Sequence, residues 1–97
     1  MKVVLNKKYG GFSLSENALN DLGIEEEDRI DYCYDNNTRF DEHLIQLIEE
    51  KGWEYCSGFC AELEIVEISD FITDYKIIDY DGMETIIYVE DGKIRQA

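Results

Sequence analysis

The chain opens on Lys2-Val3-Val4-Leu5-Asn6, a weakly alternating run rich in β-branched and aliphatic residues that stops before the Tyr9-Gly10-Gly11 break. This predicts a strand over 2–6. Ser13, with Glu16 three positions on, has the spacing of a capping box. Leu14, Ala18, Leu19 and Leu22 then share one helical face, and Gly23 suits the left-handed backbone that ends a helix, so a helix is expected over about 14–22. After the charged run Glu25-Glu26-Glu27-Asp28, Ile30, Tyr32 and Tyr34 alternate with Asp31, Cys33 and Asp35, the pattern of a half-buried strand. Asp35-Asn36-Asn37-Thr38 reads as a turn of short polar side chains.

A second helix is expected over about 42–51. Asp41 can cap it, Leu44, Ile45, Leu47 and Ile48 recur at helical spacing, and Lys51 and Gly52 suit its end. Ala61 to Ile68 reads as a strand with Leu63 and Ile65 inward and Glu62, Glu64 and Val66 on the other side. After a link over 69–74, Asp81-Gly82 and Asp91-Gly92 each sit between β-prone runs, Tyr75 to Tyr80, Glu84 to Glu90 and Lys93 to Arg95, as two-residue hairpin turns do. The expected class is α+β, a mostly antiparallel sheet of about five strands with two helices packed on one face.

Composition narrows this to one domain. Ninety-seven residues seldom divide into two cores, and 44% hydrophobic content is too much for a disordered tail. No apolar stretch approaches the roughly 18 to 20 residues of a bilayer span, and the first residues are too short for a signal-peptide core. Cys33, Cys56 and Cys60 are an odd set, unlike the even framework of a small secreted fold, so reduced thiols and a cytoplasmic location in a host cell are expected.

Charge changes the picture most. Twenty-three acids against nine Lys and Arg leave a formal charge of −14. Such a surface repels nucleic acid and anionic membranes and attracts basic proteins. Residues 16–35 hold Glu16, Asp21, Glu25, Glu26, Glu27, Asp28, Asp31 and Asp35 against Arg29 alone. Residues 40–75 hold ten acids against Lys51 alone. Carboxylates two apart on a strand repeat at about 6.6 Å on one face. Glu62 and Glu64 would therefore form a row resembling backbone phosphates, with Glu67, Asp70 and Asp74 beside it and Glu25 to Asp28 as a second cluster. A groove of Lys and Arg built for phosphates could pair with either. The competing reading is an acidic surface that serves only solubility.

Other chemistry is thinner. Cys33, His43, Cys56 and Cys60 are four metal-type ligands, but only Cys56 and Cys60 have knuckle-like spacing, so buried thiols and a solvent-side histidine are expected, with no metal. Lys7, Lys8, Gly10 and Gly11 lead toward a helix N-terminus in a loop that could cradle an anion, or that merely turns the chain. Asp79 or Asp81 with Asp91-Gly92-Lys93 is a weak nuclease-like match. One histidine and no nucleophile elbow leave no triad, so no catalytic residues and no cofactor are expected. Among the aromatics, Tyr32, Tyr34, Tyr55, Tyr75, Tyr80, Tyr88 and Phe59 are expected to be mostly half-buried, and Trp53 the most exposed.

The opening Lys2 to Ser15, with Lys7-Lys8-Tyr9-Gly10-Gly11-Phe12-Ser13-Leu14-Ser15 at its centre, resembles a family of small proteins encoded in phage and prophage genomes. Leu44 to Gly52, Cys60 to Ile68 and Tyr80 to Glu84 are similar to later segments of the same family. The resemblance covers most of the chain and implies a viral origin without a chemistry. The chain departs from the family where Tyr88 to Arg95 forms another hairpin in place of a basic, aromatic tail. In size and acidity it is also similar to viral anti-defence inhibitors, anti-CRISPR proteins among them, several of which mimic DNA. The leading expectation is an inhibitor of a basic, nucleic-acid-binding host protein, a CRISPR effector being favoured. The alternatives are a sponge for a nucleotide signal, using Lys7 to Ser13 and a homo-oligomer, and an accessory phage protein with no inhibitory role.

Overall fold

The computed structural model describes residues 1–97. The class is α+β with antiparallel pairing, but the strands form two sheets. β1 (Lys2–Asn6) pairs with β2 (Leu63–Glu67), and β3 (Ile72–Tyr80), β4 (Met83–Glu90) and β5 (Lys93–Gln96) form a separate meander. This corrects the expected five-stranded sheet. The reason lies in β1, where Val3, Val4 and Leu5 are all fully buried, as in a strand covered on both faces. Val4 packs with Leu63 against the helices, while Val3 and Leu5 pack with Ile68 and Ile86 against the meander. The short β1–β2 sheet is thus a middle layer. Val66, read as solvent-side, packs against this second core.

Four helices, α1 (Glu16–Asp21), α2 (Arg29–Tyr34), α3 (Glu42–Lys51) and α4 (Trp53–Cys56), replace the expected two. α1 is capped by Ser15 and not Ser13: the Ser15 hydroxyl accepts the Ala18 N–H at 3.0 Å. α3 matches its expected span, with Asp41 Oδ1 accepting the His43 N–H at 2.9 Å and Gly52 leaving the helix at φ 91°.

The expected strand at Ile30 to Asp35 is the helix α2. Tyr32 and Cys33 turn toward the helical core while Ile30 and Tyr34, four apart, are 70% and 84% exposed. Side-chain bonds to the segment that follows oppose the local β preference. The Tyr32 hydroxyl donates to Asp41 Oδ2 at 2.7 Å, and the Thr38 hydroxyl donates to the Tyr32 carbonyl at 2.5 Å. The expected turn at 35–38 becomes a 3-10 turn, Asn36–Phe40, capped by Asp35.

Both Asp-Gly turns form, with positive φ at Asp81 and Gly82 and at Asp91 and Gly92, as type I′ hairpin turns require. Only the first is packed. A Cβ on Gly82 would lie 2.0 Å from the Gly11 nitrogen, so this position tolerates glycine alone.

Candidate functional site

The two acidic clusters differ once folded. Glu25 to Asp28 are all exposed, on and just before a 3-10 turn (Glu26–Asp28) that runs into α2. Because α2 is helical, Asp28, Asp31 and Asp35 fall at i, i+3 and i+7 on one side, with neighbours about 5–6 Å apart. Glu25, Asp28, Asp31 and Asp35 line an open cleft of about 310 Å³ over Ile24 and Tyr32. None of the four is in an ion pair. Arg29, the cation within the cluster, is turned to structural work: Nε donates to the Ile24 carbonyl at 3.1 Å and Nη2 to Asn20 Oδ1 at 2.7 Å. It ties α1 to α2 and leaves the carboxylates uncompensated.

The Glu62 to Asp74 cluster is more committed. Glu62, Glu64, Glu67, Asp70 and Asp74 are exposed, but they do not form one row. Register places Glu64 opposite Leu5 and Glu67 opposite Lys2, on opposite faces of the pair. Asp70 is bridged to the Met1 ammonium, and Glu67 lies near Lys2, which itself bonds Glu49 at 2.6 Å. Glu62 and Glu64 share a groove with Lys7 and Trp53. Asp74 lies on β3, where its carboxylate accepts the Tyr75 N–H at 2.8 Å.

The Lys7 to Ser13 loop is closed by the rest of the chain. The Gly10 N–H donates to the Asp81 carbonyl at 2.8 Å, and the Gly82 carbonyl accepts from Asn6 Nδ2 at 2.6 Å. Lys7 Nζ donates to the Glu84 carbonyl at 3.1 Å, and Lys8 is exposed. The open space beside the loop, about 460 Å³, is lined by Gly10, Gly11, Phe12, Arg39, Asp79, Asp81 and Glu84 among others. The carboxylates here outnumber Arg39, which is a poor setting for a phosphate.

At the base of this cavity sits a buried ion pair that the sequence does not advertise. Arg39 Nη2 donates to Glu84 Oε2 at 2.6 Å, with side chains 8% and 3% exposed. Glu84 Oε1 accepts the Asn6 N–H at 2.9 Å, and the Arg39 guanidinium stacks on Phe12 at 3.4 Å from the ring centre. Burial pushes the Glu84 carboxyl above the usual carboxylate range against the pull of Asn6 N–H and Arg39, and burial lowers Arg39 from its ordinary value. Nε and Nη1 of Arg39 are buried without partners. The one signal for this pair was Arg39 itself, a lone cation between acidic stretches.

The remaining candidates scatter. Cys56 is buried, Cys33 half-buried and Cys60 exposed, and no group of three or more His, Cys, Asp or Glu side chains is placed to hold a metal ion. Burial raises the Cys33 and Cys56 thiols, which disfavours thiolate at both. Asp79 and Asp81 lie at one end of β4 and Asp91-Gly92-Lys93 at the other, so these groups stand apart by the strand's eight residues, about 26 Å. Trp53 is 43% exposed, whereas Phe59 is 95% and Phe71 80% exposed. Tyr34 and Tyr80, expected to be half-buried, are also exposed.

No helix is long and apolar enough to cross a membrane. In comparisons with protein-family models, curated proteins and solved structures, nothing matches this chain.

Proposed function

We propose that this chain binds and blocks a basic, nucleic-acid-binding protein of a bacterial host, with a CRISPR effector the favoured target, by presenting carboxylates where that protein expects phosphates. The observation that carries the reading is the cleft of Glu25, Asp28, Asp31 and Asp35, whose one neighbouring cation, Arg29, is bonded elsewhere. Like charges three and four apart on a helix cost a few tenths of a kcal/mol per pair. Acids in the first turn do favour the helix dipole, which gives Asp28 and Asp31 some local benefit. Asp35, at the far end of α2, gains nothing from that helix, but its Oδ1 accepts the Asn37 N–H at 2.9 Å and caps the following 3-10 turn. The cleft therefore outranks the Glu62 to Asp74 cluster, where the Met1 ammonium bridges Asp70 and where Lys2 and Lys7 lie close to Glu67 and to Glu62 and Glu64.

The nucleotide-sponge reading has less support, because Gly10 already donates to Asp81 and an incoming phosphate would face Asp79 and Asp81.

The experiment is affinity capture on the immobilised protein from a nuclease-treated bacterial lysate, eluted in parallel by a salt gradient and by duplex DNA. A nucleic-acid-binding protein released by both is the expected result. Retention of nothing, or of a protein that neither salt nor DNA displaces, overturns mimicry.

A further inference from the structure

The two faces of the β3–β4–β5 meander have different surroundings. Tyr75, Ile77, Ile86 and Tyr88 face the middle layer and pack in the second core. The alternate residues therefore point outward. Register sets Asp74 beside Val89, Lys76 beside Ile87, Val89 beside Ile94 and Ile87 beside Gln96. None of these outward residues belongs to either core, and Ile94 is 77% exposed. In a chain that is 33% charged, the outward face of three strands holds only two charged side chains, Asp74 and Lys76, of opposite sign. Neither enters an ion pair.

We propose that this face is the meeting surface of two copies of the chain in a two-fold dimer. A two-fold interface demands self-complementarity, and this face has it. Tyr75, Tyr88 and Arg95 lie in one row across the sheet. A two-fold axis along that row reverses the strand direction and lays position 74 over position 76 of the second copy. Asp74 then meets Lys76 of the second copy, and Lys76 meets Asp74 of the second copy. The same operation lays Val89 over Ile87 of the second copy, and Ile94 over Gln96 of the second copy. One operator thus pairs both charges and covers the apolar residues, within the angle of about 30° usual between packed sheets. Elsewhere a chain carrying −14 meets its copy with repulsion, so association is favoured where carboxylates are scarce.

The face is small. Eight residues of β4 extend about 26 Å and three strands about 14 Å. That falls below the roughly 800 Å² per partner of standard stable interfaces. A reversible dimer follows, with Kd on the order of 10 µM or weaker.

Sedimentation equilibrium tests this across about 1 µM to about 1 mM, a span that brackets the expected Kd. The expected mass rises from 11.3 kDa toward twice that value. Ile87→Asp should weaken association at least tenfold, as should Lys76→Asp, and the exchange of Asp74→Lys with Lys76→Asp should restore it. High salt should leave most of the association intact, unlike the host-protein binding proposed above, so the two can fail separately. If Ile87→Asp does not fold by circular dichroism, the charge exchange at the exposed positions carries the test alone. A monomer at every concentration overturns the proposal, and so does a dimer indifferent to these substitutions.

Discussion

Residues 25–35 hold six acids with Arg29 and residues 62–74 hold five acids with no cation, a net of −5 in each, yet the fold uses them differently. In the second region the N-terminal ammonium takes Asp70, Lys2 approaches Glu67, and Lys7 shares a groove with Glu62 and Glu64. In the first, Glu25, Asp28, Asp31 and Asp35 meet no cation, and Arg29 bonds a carbonyl and an amide instead. Local charge counts do not separate the two. What separates them is which basic groups the tertiary structure brings near: β1 and its flanks carry Met1, Lys2 and Lys7 beside the second region, where Lys2 also bonds Glu49 and Lys7 the Glu84 carbonyl.

The largest expected effect lies in neither region and calibrates both, because Glu84 is the carboxylate that the fold uses from within. Arg39→Met should destabilise the protein by about 3–5 kcal/mol in urea melts, since it strands a buried carboxylate. It should leave the salt dependence of partner binding unchanged. Next is the combined neutralisation Glu25→Gln, Asp28→Asn and Asp31→Asn. It should weaken partner binding by about 100-fold, roughly 2.7 kcal/mol, with melting temperature nearly unchanged. Glu62→Gln, Glu64→Gln and Asp74→Asn together should weaken it less than about threefold.

Acidity gives a third, smaller contrast. Burial raises the Glu84 carboxyl in the folded state, so its contribution to stability is full below the ordinary glutamate value of about 4.3 and is lost as pH rises through the raised value. Glu84→Gln removes that dependence. Thermal melts should therefore show wild type gaining on Glu84→Gln as pH falls through that window; a difference of opposite slope would mean that Arg39 outweighs burial. The smallest effect is Asp70→Asn, which breaks an exposed bridge to Met1 and should cost less than about 1 kcal/mol in the same melts.

Much of this fold was legible. β1, α3 and both Asp-Gly hairpins follow from patterns complete within a few residues, namely an apolar run, an Asp cap with a Gly stop, and paired turn residues. The strand expected at Ile30 to Asp35 was not recoverable locally. Six residues in which Ile and Tyr alternate with Asp and Cys fit a strand as well as a helical turn, and Thr38 and Asp41, six and nine residues past Tyr32 and outside that pattern, bond Tyr32 in its helical position. The division into two sheets was hidden for a similar reason: Val66 looks like a solvent-side residue until the meander covers it. Of the candidate site, the acidic residues were visible but their rank was not. Misreading α2 as a strand placed Asp31 with Cys33 and Asp35, where the helix sets Asp28, Asp31 and Asp35 together. Arg39 and Glu84 are 45 residues apart and meet only through the folded core.

The most direct test is the affinity of the captured host protein for wild type and for the Glu25, Asp28 and Asp31 neutralised variant, each measured by calorimetry at low and high salt. The account predicts tight, salt-sensitive binding by wild type that the variant loses in large part at low salt. Equal binding by both proteins, unmoved by salt, would contradict it.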